Sequence, residues 1–417
     1  MINRIFFLMS LWLFIDLYFF QAVSTATGGH AAAYWAYWLF DGAVAAIILF
    51  FIFSGRLAHR PRSLNYVFGL MLLSLVPKLV GSPVLLLEDA GRLLAGAFNW
   101  AGDAFSSGGG HSGGDYFPGR SRIVSMLALG VAAVPFTGII YGVAKGRYQY
   151  TVRRIKLAFP DLPDAFNGFT ITQLSDIHSG SFDNKAAVEY GVDLANRQNS
   201  DLFVFTGDLV NNEATEMTPW IDTFARLRAP MGQFSILGNH DYGDYIQWPD
   251  ARTKAENLES LKAVHKKIGF RLLLNERITL EKDGQRINLI GVENWGKGGF
   301  AKYGDLQRAA AGLEKNGFNI LLSHDPSHWE AEVLQHSDKI HLTLSGHTHG
   351  MQFGVELPGF RWSPIKYVYP QWAGVYERAG RYLYVNRGFG FLGFPGRVGI
   401  LPEITVITLV KERTVNG

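Results

Sequence analysis

The pattern of apolar and polar positions changes character near residue 145. Before that point apolar residues run in long blocks with few charges; after it, short apolar runs alternate with amphipathic stretches. A helix that crosses a bilayer needs about 20 mostly apolar residues. Four blocks meet that length, at 5–23, 31–53, 65–85 and 123–143, so residues 1–145 read as a transmembrane region. The third block runs into Pro77, Lys78, Gly81 and Pro83, and a kink or an early end is expected there. Tyr34, Trp35, Tyr37 and Trp38 crowd the start of the second, as aromatic residues do at membrane interfaces. The first block carries Asp16 in its apolar run and is too long for a cleaved leader, so a retained helix is expected.

Lysine and arginine in the short loops set the expected orientation. Arg56, Arg60 and Arg62 follow the second block, and Lys145, Arg147, Arg153, Arg154 and Lys156 follow the fourth. An arrangement with the N-terminus inside puts both basic segments, and the catalytic half, on the cytoplasmic side of an inner (cytoplasmic) membrane. Arg120 and Arg122, just before the fourth block, fit this less well. Asp16 and Asp41 lie within apolar blocks, where carboxylates are costly and are functional candidates by default. The plainer expectation is that each is protonated or bonded to a neighbouring helix. A transport or ligand-entry role for the four helices has these two residues as its only hint. Residues 106–115, rich in glycine and serine, read as a flexible loop.

From about residue 150 to 417 strand-like and helix-like patterns alternate. Strands are expected at 169–174, 201–205, 232–237, 319–322 and 340–344, with a helix at 186–196. Strands interleaved with helices imply a mostly parallel or mixed α/β sheet covered on its faces. Composition adds exclusions. The chain has 417 residues and no cysteine, which removes disulfides, iron–sulfur clusters and thiolate zinc sites. A net charge of +3 is too small to argue for nucleic acid, and none is expected as a partner.

Candidate chemistry sits where the strands end. Asp176 and His178, Asp208, Asn239 with His240 and Asp241, His324, and finally His347 and His349 each follow an apolar run. In open α/β sheets ligands bind at the C-terminal ends of strands. Singly, each has a plain reading: a turn cap for Asp176, Asp208 or Asn239, a satisfied buried histidine for His324. Together they put five of the twelve histidines beside carboxylates and an amide, the ligand inventory for two metal ions sharing one bridging carboxylate. Two metals about 3.5–4 Å apart clamp the attacking and leaving oxygens of a phosphoryl displacement.

The ordered blocks Asp-x-His, Gly-Asp, Gly-Asn-His-Asp, His and Gly-His-x-His resemble the calcineurin-like metallophosphoesterase superfamily, and all five are intact over roughly residues 170–350. The surrounding segments Leu174–His178, Ile236–Tyr242 and Val385–Gly388 are similar to a membrane-anchored bacterial subgroup. The resemblance implies a layered β-sandwich flanked by helices. It implies that Asp176, His178 and His349 hold one metal, that Asn239, His324 and His347 hold the other, and that Asp208 bridges them. It also implies attack on phosphorus by a hydroxide bridging the two ions. His240 would then stabilise or protonate the leaving oxygen, with Asp241 orienting it or serving only as a cap. Mixed oxygen and imidazole ligands suit manganese, iron or zinc. The expected activity is hydrolysis of a phosphodiester or pyrophosphate bond, lipid-linked substrates included, with a phosphomonoesterase as the alternative. A non-catalytic metal-binding sensor or scaffold would be expected to have lost His240 or a ligand. Nothing in the pattern sets an oligomeric state.

Three further features complete the reading. Residues 388–393 match a dinucleotide fingerprint, but Pro395 and Gly396 follow where a helix is required, so a glycine-rich loop is expected. Arg387 and Arg397 flank it, as phosphate ligands or in surface salt bridges. Residues 294–299 are expected to be a lid or a plain connection. His265, His328, His336 and His341 have no motif context.

Overall fold

A computed structural model describes residues 2–54, 62–105 and 118–412. Arg56, Arg60 and the glycine-rich stretch 106–115 lie outside the described residues. The chain divides into two compact units, Met1–Tyr141 and Gly142–Gly417.

The first unit is helical: α1 (Ile2–Thr27), α2 (Ala31–Phe53), α3 (Arg62–Phe105) and most of α4 (Arg122–Ala144). All four are long and apolar enough to cross a membrane. The third corrects the sequence reading, since it does not stop near residue 85. It is a single helix of 44 residues with Pro77 and Pro83 inside it, about 66 Å long at 1.5 Å per residue. Proline is tolerated in apolar helices where neighbouring groups satisfy the freed backbone. Gly81 allows close packing at this point: a Cβ there would stand 2.6 Å from the Phe19 ring and 2.8 Å from the Ala128 carbonyl. Lys78 is also no stop signal. Its ammonium lies 2.6 Å from Asp16 Oδ1 on α1 and 2.6 Å from Asp41 Oδ1 on α2, and it donates to Ser74 Oγ at 3.1 Å. Ser74 donates to Asp41 at 2.5 Å, and Tyr37 donates to the Asp16 carbonyl at 2.9 Å. One buried lysine thus ties three helices together. Arg120, awkward for the loop-charge pattern, is neutralised by Glu88 at 3.2 Å and Asp89 at 2.7 Å.

The second unit is a four-layer stack. Its strands are β1 (Thr151–Phe159), β2 (Thr170–Leu174), β3 (Leu202–Phe205), β4 (Gln233–Ser235), β5 (Arg271–Leu272), β6 (Glu276–Lys282) and β7 (Gln285–Gly291). They continue with β8 (Phe318–Leu322), β9 (Leu342–Ser345), β10 (Val355–Leu357), β11 (Phe360–Trp362), β12 (Gly374–Arg378), β13 (Arg381–Val385) and β14 (Glu403–Lys411). One six-stranded sheet has the order β1-β14-β2-β3-β4-β5 and the other β12-β13-β9-β8-β7-β6. Pairings β2–β3–β4 and β7–β8–β9 are parallel, while β14 joins β2 and β6 joins β7 antiparallel.

Side-chain alternation assigns the layers. Leu202 and Val204 of β3 point into a core shared with Ile320 and Leu322 of β8, between the sheets. Phe203 and Phe205 point the other way, against Val188 and Val192 of helix α5 (Lys185–Asn196). Leu321 of β8 turns outward to Trp329 and Leu306. Strands buried on both faces carry unbroken apolar runs, which is why the pattern legible in the sequence was the run and not an alternation. The expected strand 232–237 is shorter here, and Ile236 and Leu237 lead instead into the loop that carries Asn239, while the strand expected at 340–344 is shifted to Leu342–Ser345.

Lysine 78 generates a stability prediction. Lys78→Ala leaves two buried carboxylates facing each other, and breaking a buried pair in this way costs about 3–5 kcal/mol. A thermal melt of detergent-solubilised protein should show a marked drop for Lys78→Ala. The triple variant Asp16→Asn, Asp41→Asn, Lys78→Met should recover most of it. An unchanged melt for Lys78→Ala would mean the triad does not hold the helices together.

Candidate metal centre

Five strands from both sheets end on one edge of the sandwich. Asp176 and His178 follow β2, Asp208 follows β3, Asn239 follows β4, His324 follows β8, and His347 and His349 follow β9. The loops are laced together by backbone hydrogen bonds. Asp176 N donates to Gly207 O at 2.9 Å, His178 N to Asp208 O at 3.1 Å, and Gly346 N to His324 O at 2.9 Å.

Five of these seven residues adopt left-handed backbone conformations: Asp176 (φ 52°), His178 (47°), Asp208 (62°), His347 (72°) and His349 (50°). Such conformations cost non-glycine residues about 1–3 kcal/mol each and persist only where the surroundings impose them. Here they turn each side chain off its strand axis toward a common point. Gly346 is required by close approach, because a Cβ there would collide with Ser175 Oγ and Asp176 Oδ2.

Two groups of donor atoms result: Asp176, His178 and His349, and Asp208, His324 and His347. Within each, the ligand atoms all lie within 4.8 Å of one another. His178 Nε2 and His349 Nε2 are 3.0 Å apart, and His349 Nε2 is 3.2 Å from Asp176 Oδ1. In the second group His324 Nε2 lies 3.2 Å from Asp208 Oδ2. Asn239 Oδ1 joins it, 3.1 Å from His324 Nε2 and 2.8 Å from His347 Nδ1. Asp208 also faces the first group, with Oδ2 at 3.6 Å from His178 Nε2. All seven expected ligands are therefore brought together.

Protonation suits a cation. Burial alone would raise Asp176, but His349 and His324 outweigh it and hold the carboxyl below its usual range. Asp208 is held well below in the same way, by His324 and His240 against burial. Burial pushes His178 and His347 down, leaving neutral imidazoles with free lone pairs. His324 is the exception: burial opposes it, yet Asp208 and Asp176 push it up to about 10. A proton held against Asp208 marks a place that favours positive charge. Buried carboxylates beside neutral imidazoles fit divalent ions of the manganese, iron or zinc kind.

The supporting contacts are ones the sequence did not reveal. His324 Nδ1 lies 2.7 Å from the Thr206 carbonyl, which aims Nε2 into the site. His347 Nε2 meets the Tyr369 hydroxyl at 2.8 Å, and Tyr369 donates to Asp325 at 3.3 Å. Asn239 Nδ2 donates to the Tyr245 hydroxyl at 2.8 Å. Tyrosine and aspartate outside the motif blocks carry no local signal, so only contact across loops reveals them.

His240 packs edge-on to His178, with ring centroids 4.9 Å apart. Its Nδ1 lies 2.8 Å from the Asn211 carbonyl. Of the two expectations for Asp241, orienting His240 or serving only as a cap, the contacts fit the second. Asp241 accepts backbone hydrogen bonds from Gly238 at 2.8 Å, Asp208 at 2.9 Å and Leu209 at 2.8 Å, so it clamps the loop that carries Asp208.

One further expectation changes: Arg387 and Arg397 are not in surface ion pairs, because both are buried. Arg387 binds Glu403 and Glu356, each at 2.6 Å. Arg397 donates to the Gly390 and Gly388 carbonyls, and its Nη2 lies 3.2 Å from His349 Nδ1. The loop at 294–299 is anchored by Trp295 stacked on His328 at 4.8 Å. Just beyond it the Phe300 ring stands edge-on to His347 at 5.0 Å. His265 is a core residue 2.9 Å from Ser235 Oγ, pushed down to about 3 by burial.

Comparison with known proteins covers both units. Residues 3–147 match the family described as probable calcineurin-like phosphoesterase, transmembrane domain. Residues 169–351 match calcineurin-like phosphoesterase. The uncharacterized metallophosphoesterase YkuE of Bacillus subtilis is 33% identical over 258 residues, 60% of this chain and 81% of that protein. A transmembrane protein with metallophosphoesterase domain from Danio rerio is 28% identical over 298 residues, 70% of this chain and 63% of that one. A solved structure of phosphopantetheinyl hydrolase from Mycobacterium tuberculosis is 13% identical with a TM-score of 0.33, covering 53% of this chain and 89% of that one, a likeness that carries no argument.

Asp241 yields the prediction here. Asp241→Ala strands four buried N–H groups, those of Gly238, Asp208, Leu209 and Val210, each costing about 1–3 kcal/mol. Chemical denaturation should show a loss of several kcal/mol, far more than for His240→Ala. A loss for Asp241→Ala no larger than that for His240→Ala would place Asp241 in chemistry and not in the frame.

Proposed function

This chain belongs to the calcineurin-like metallophosphoesterases, and we propose that it is a two-metal hydrolase acting on phosphodiester or pyrophosphate bonds of lipid-linked substrates at a membrane. As a phosphoesterase with four candidate transmembrane helices it is an integral membrane hydrolase. The finer reading rests above all on one observation: the Asp208 carboxylate stands between two separate donor groups, 3.2 Å from His324 and 3.6 Å from His178.

In this reading Asp176, His178 and His349 hold one divalent ion, Asn239, His324 and His347 the other, and Asp208 serves both. Two such ions supply Lewis acidity and an activated water for displacement at phosphorus. The residues of the chain do the rest. Thr206 and Tyr369 fix the ring orientations of His324 and His347. Asn211 fixes His240 so that its Nε2 is the atom left to meet the leaving oxygen. Burial lowers the pKa of His240 although Asp208 raises it, so the free imidazole presents a lone pair at Nε2. An anionic phosphoester beside it would favour its protonated form, and general acid catalysis from there is typically worth about 10²–10⁴ in rate. The anchor supports a substrate held in the bilayer. The basic segment from Lys145 to Lys156 supports a cytoplasmic catalytic side.

Hydrolysis of an activated phosphodiester and of the matching monoester tests this reading. Wild type should cleave the diester faster with manganese or zinc and lose activity to chelator. Asp208→Asn should be inactive, and His240→Ala should fall about 10²–10⁴-fold in kcat while still binding metal. Preference for the monoester would sink the diester assignment, and undiminished activity in Asp208→Asn would sink the shared-carboxylate arrangement.

A further inference from the structure

The catalytic unit wears one of its hairpins inside out. Strands β10 and β11 pair antiparallel, with Val355 opposite Trp362, Glu356 opposite Arg361 and Leu357 opposite Phe360. Cross-strand partners share a face of the ribbon, and successive residues alternate faces. The face carrying Glu356 and Arg361 lies against the domain, with Arg361 itself exposed. Glu356 accepts from Arg387 at 2.6 Å and from Arg153 at 2.5 Å, and Arg361 donates to the Ala373 carbonyl at 2.6 Å. The face carrying Val355, Leu357 and Phe360 is turned out, with Leu357 61% and Phe360 56% exposed. Tyr367 and Val368, in the turn that follows, are 75% and 72% exposed. Scattered apolar side chains are normal on a surface; a ribbon that pairs its charges inward and presents its apolar face to the outside is not. Lys366 beside Tyr367 adds the basic and aromatic flank typical of interfacial segments.

Connectivity says what covers this face. Val398 N donates to Gln352 O at 2.7 Å and Gly354 N to Val398 O at 2.9 Å, which fixes the root of the hairpin. The neighbouring Arg397 N donates to Gly142 O at 3.2 Å. Gly142 belongs to the catalytic unit, yet it is in the last turn of α4, a candidate membrane span. Arg153, which holds Glu356, is nine residues beyond the end of that helix at Ala144, within about 30 Å of chain. The root of the hairpin therefore lies beside the segment by which the chain enters the catalytic unit.

We propose that residues 355–368 form a membrane-docking element: the apolar face of the hairpin and the Tyr367–Val368 turn sit in the lipid interface. The element is tied directly to the metal centre. Tyr369, next to Val368, meets His347 at 2.8 Å, and Ser363 donates to Gly350, next to His349, at 2.8 Å. Docking would hold the mouth of the site at the lipid surface, where a phosphoester on a lipid headgroup is presented. That last consequence rests on the proposed lipid-linked substrate; the docking itself does not.

The chain contains no cysteine, so a nitroxide can be placed at a single introduced thiol. Full-length Leu357→Cys and Phe360→Cys, labelled and reconstituted into phospholipid vesicles, would be compared with Arg252→Cys on an exposed helical surface. Power saturation with oxygen and with a water-soluble nickel chelate reads the surroundings of the label, independently of catalysis. The expected result is a several-fold higher oxygen-to-nickel ratio at 357 and 360 than at 252. The ratio found at 252 would overturn the proposal, and so would labels reached by neither agent, which would mean that protein covers the face. In parallel, the double variant Leu357→Asp, Phe360→Asp should cleave a bilayer-embedded phosphodiester several-fold more slowly and a soluble one at the wild-type rate. Lipid-immersed labels with equal rates on both substrates would uphold docking and refute the lipid-linked substrate.

Discussion

Two ionised carboxylates, Asp176 and Asp208, are buried at the seam where two sheets end, and much of the catalytic unit is arranged to keep them there. Buried charge is tolerated only when paired and hydrogen-bonded. His347 N donates to both oxygens of Asp176, at 3.0 and 3.1 Å, and His240 N donates to Asp208 at 2.8 Å. Histidines surround both. The same demand for positive charge that makes this arrangement costly without a cation makes it a candidate cation site.

The frame answers that demand with backbone geometry. Left-handed conformations at five of the seven candidate ligand residues are unfavourable locally and are imposed by the hydrogen bonds between loops. Asp241 and Glu403 illustrate the division of labour. Asp241 spends its carboxylate on four backbone N–H groups, that of Asp208 among them. Glu403 binds Arg387, Tyr384 and Thr405, locking β14 to the loop that also holds Arg397 against His349. These are acidic residues near a candidate metal centre whose contacts are structural.

The membrane unit solves a related problem by different means. Without water to solvate them, Asp16, Asp41 and Lys78 are bound to one another across three helices. Lys78, which in sequence looks like an interruption of an apolar run, is the group that makes both aspartates tolerable. A periodicity argument sees a charge within one helix; it does not see that charges on other helices stand at the same depth.

Much of the site was legible from residue order alone. Short apolar runs followed by Asp, Asn or His marked strand ends, and the side-chain chemistry marked the candidate ligands, because a metal site needs particular donor atoms and these are written in residue type. The four apolar blocks were legible for the same reason, since bilayer thickness fixes helix length. What residue order could not decide depends on residues distant in sequence coming into contact. The continuation of α3 past Pro83, the burial of Arg387 and Arg397, the role of Asp241 and the parts of Tyr369 and Asn211 are of this kind. So is the hairpin at 355–362, whose alternation would ordinarily place its apolar face inward. Only its ion pairs to Arg153 and Arg387, set by the fold, turn that face out.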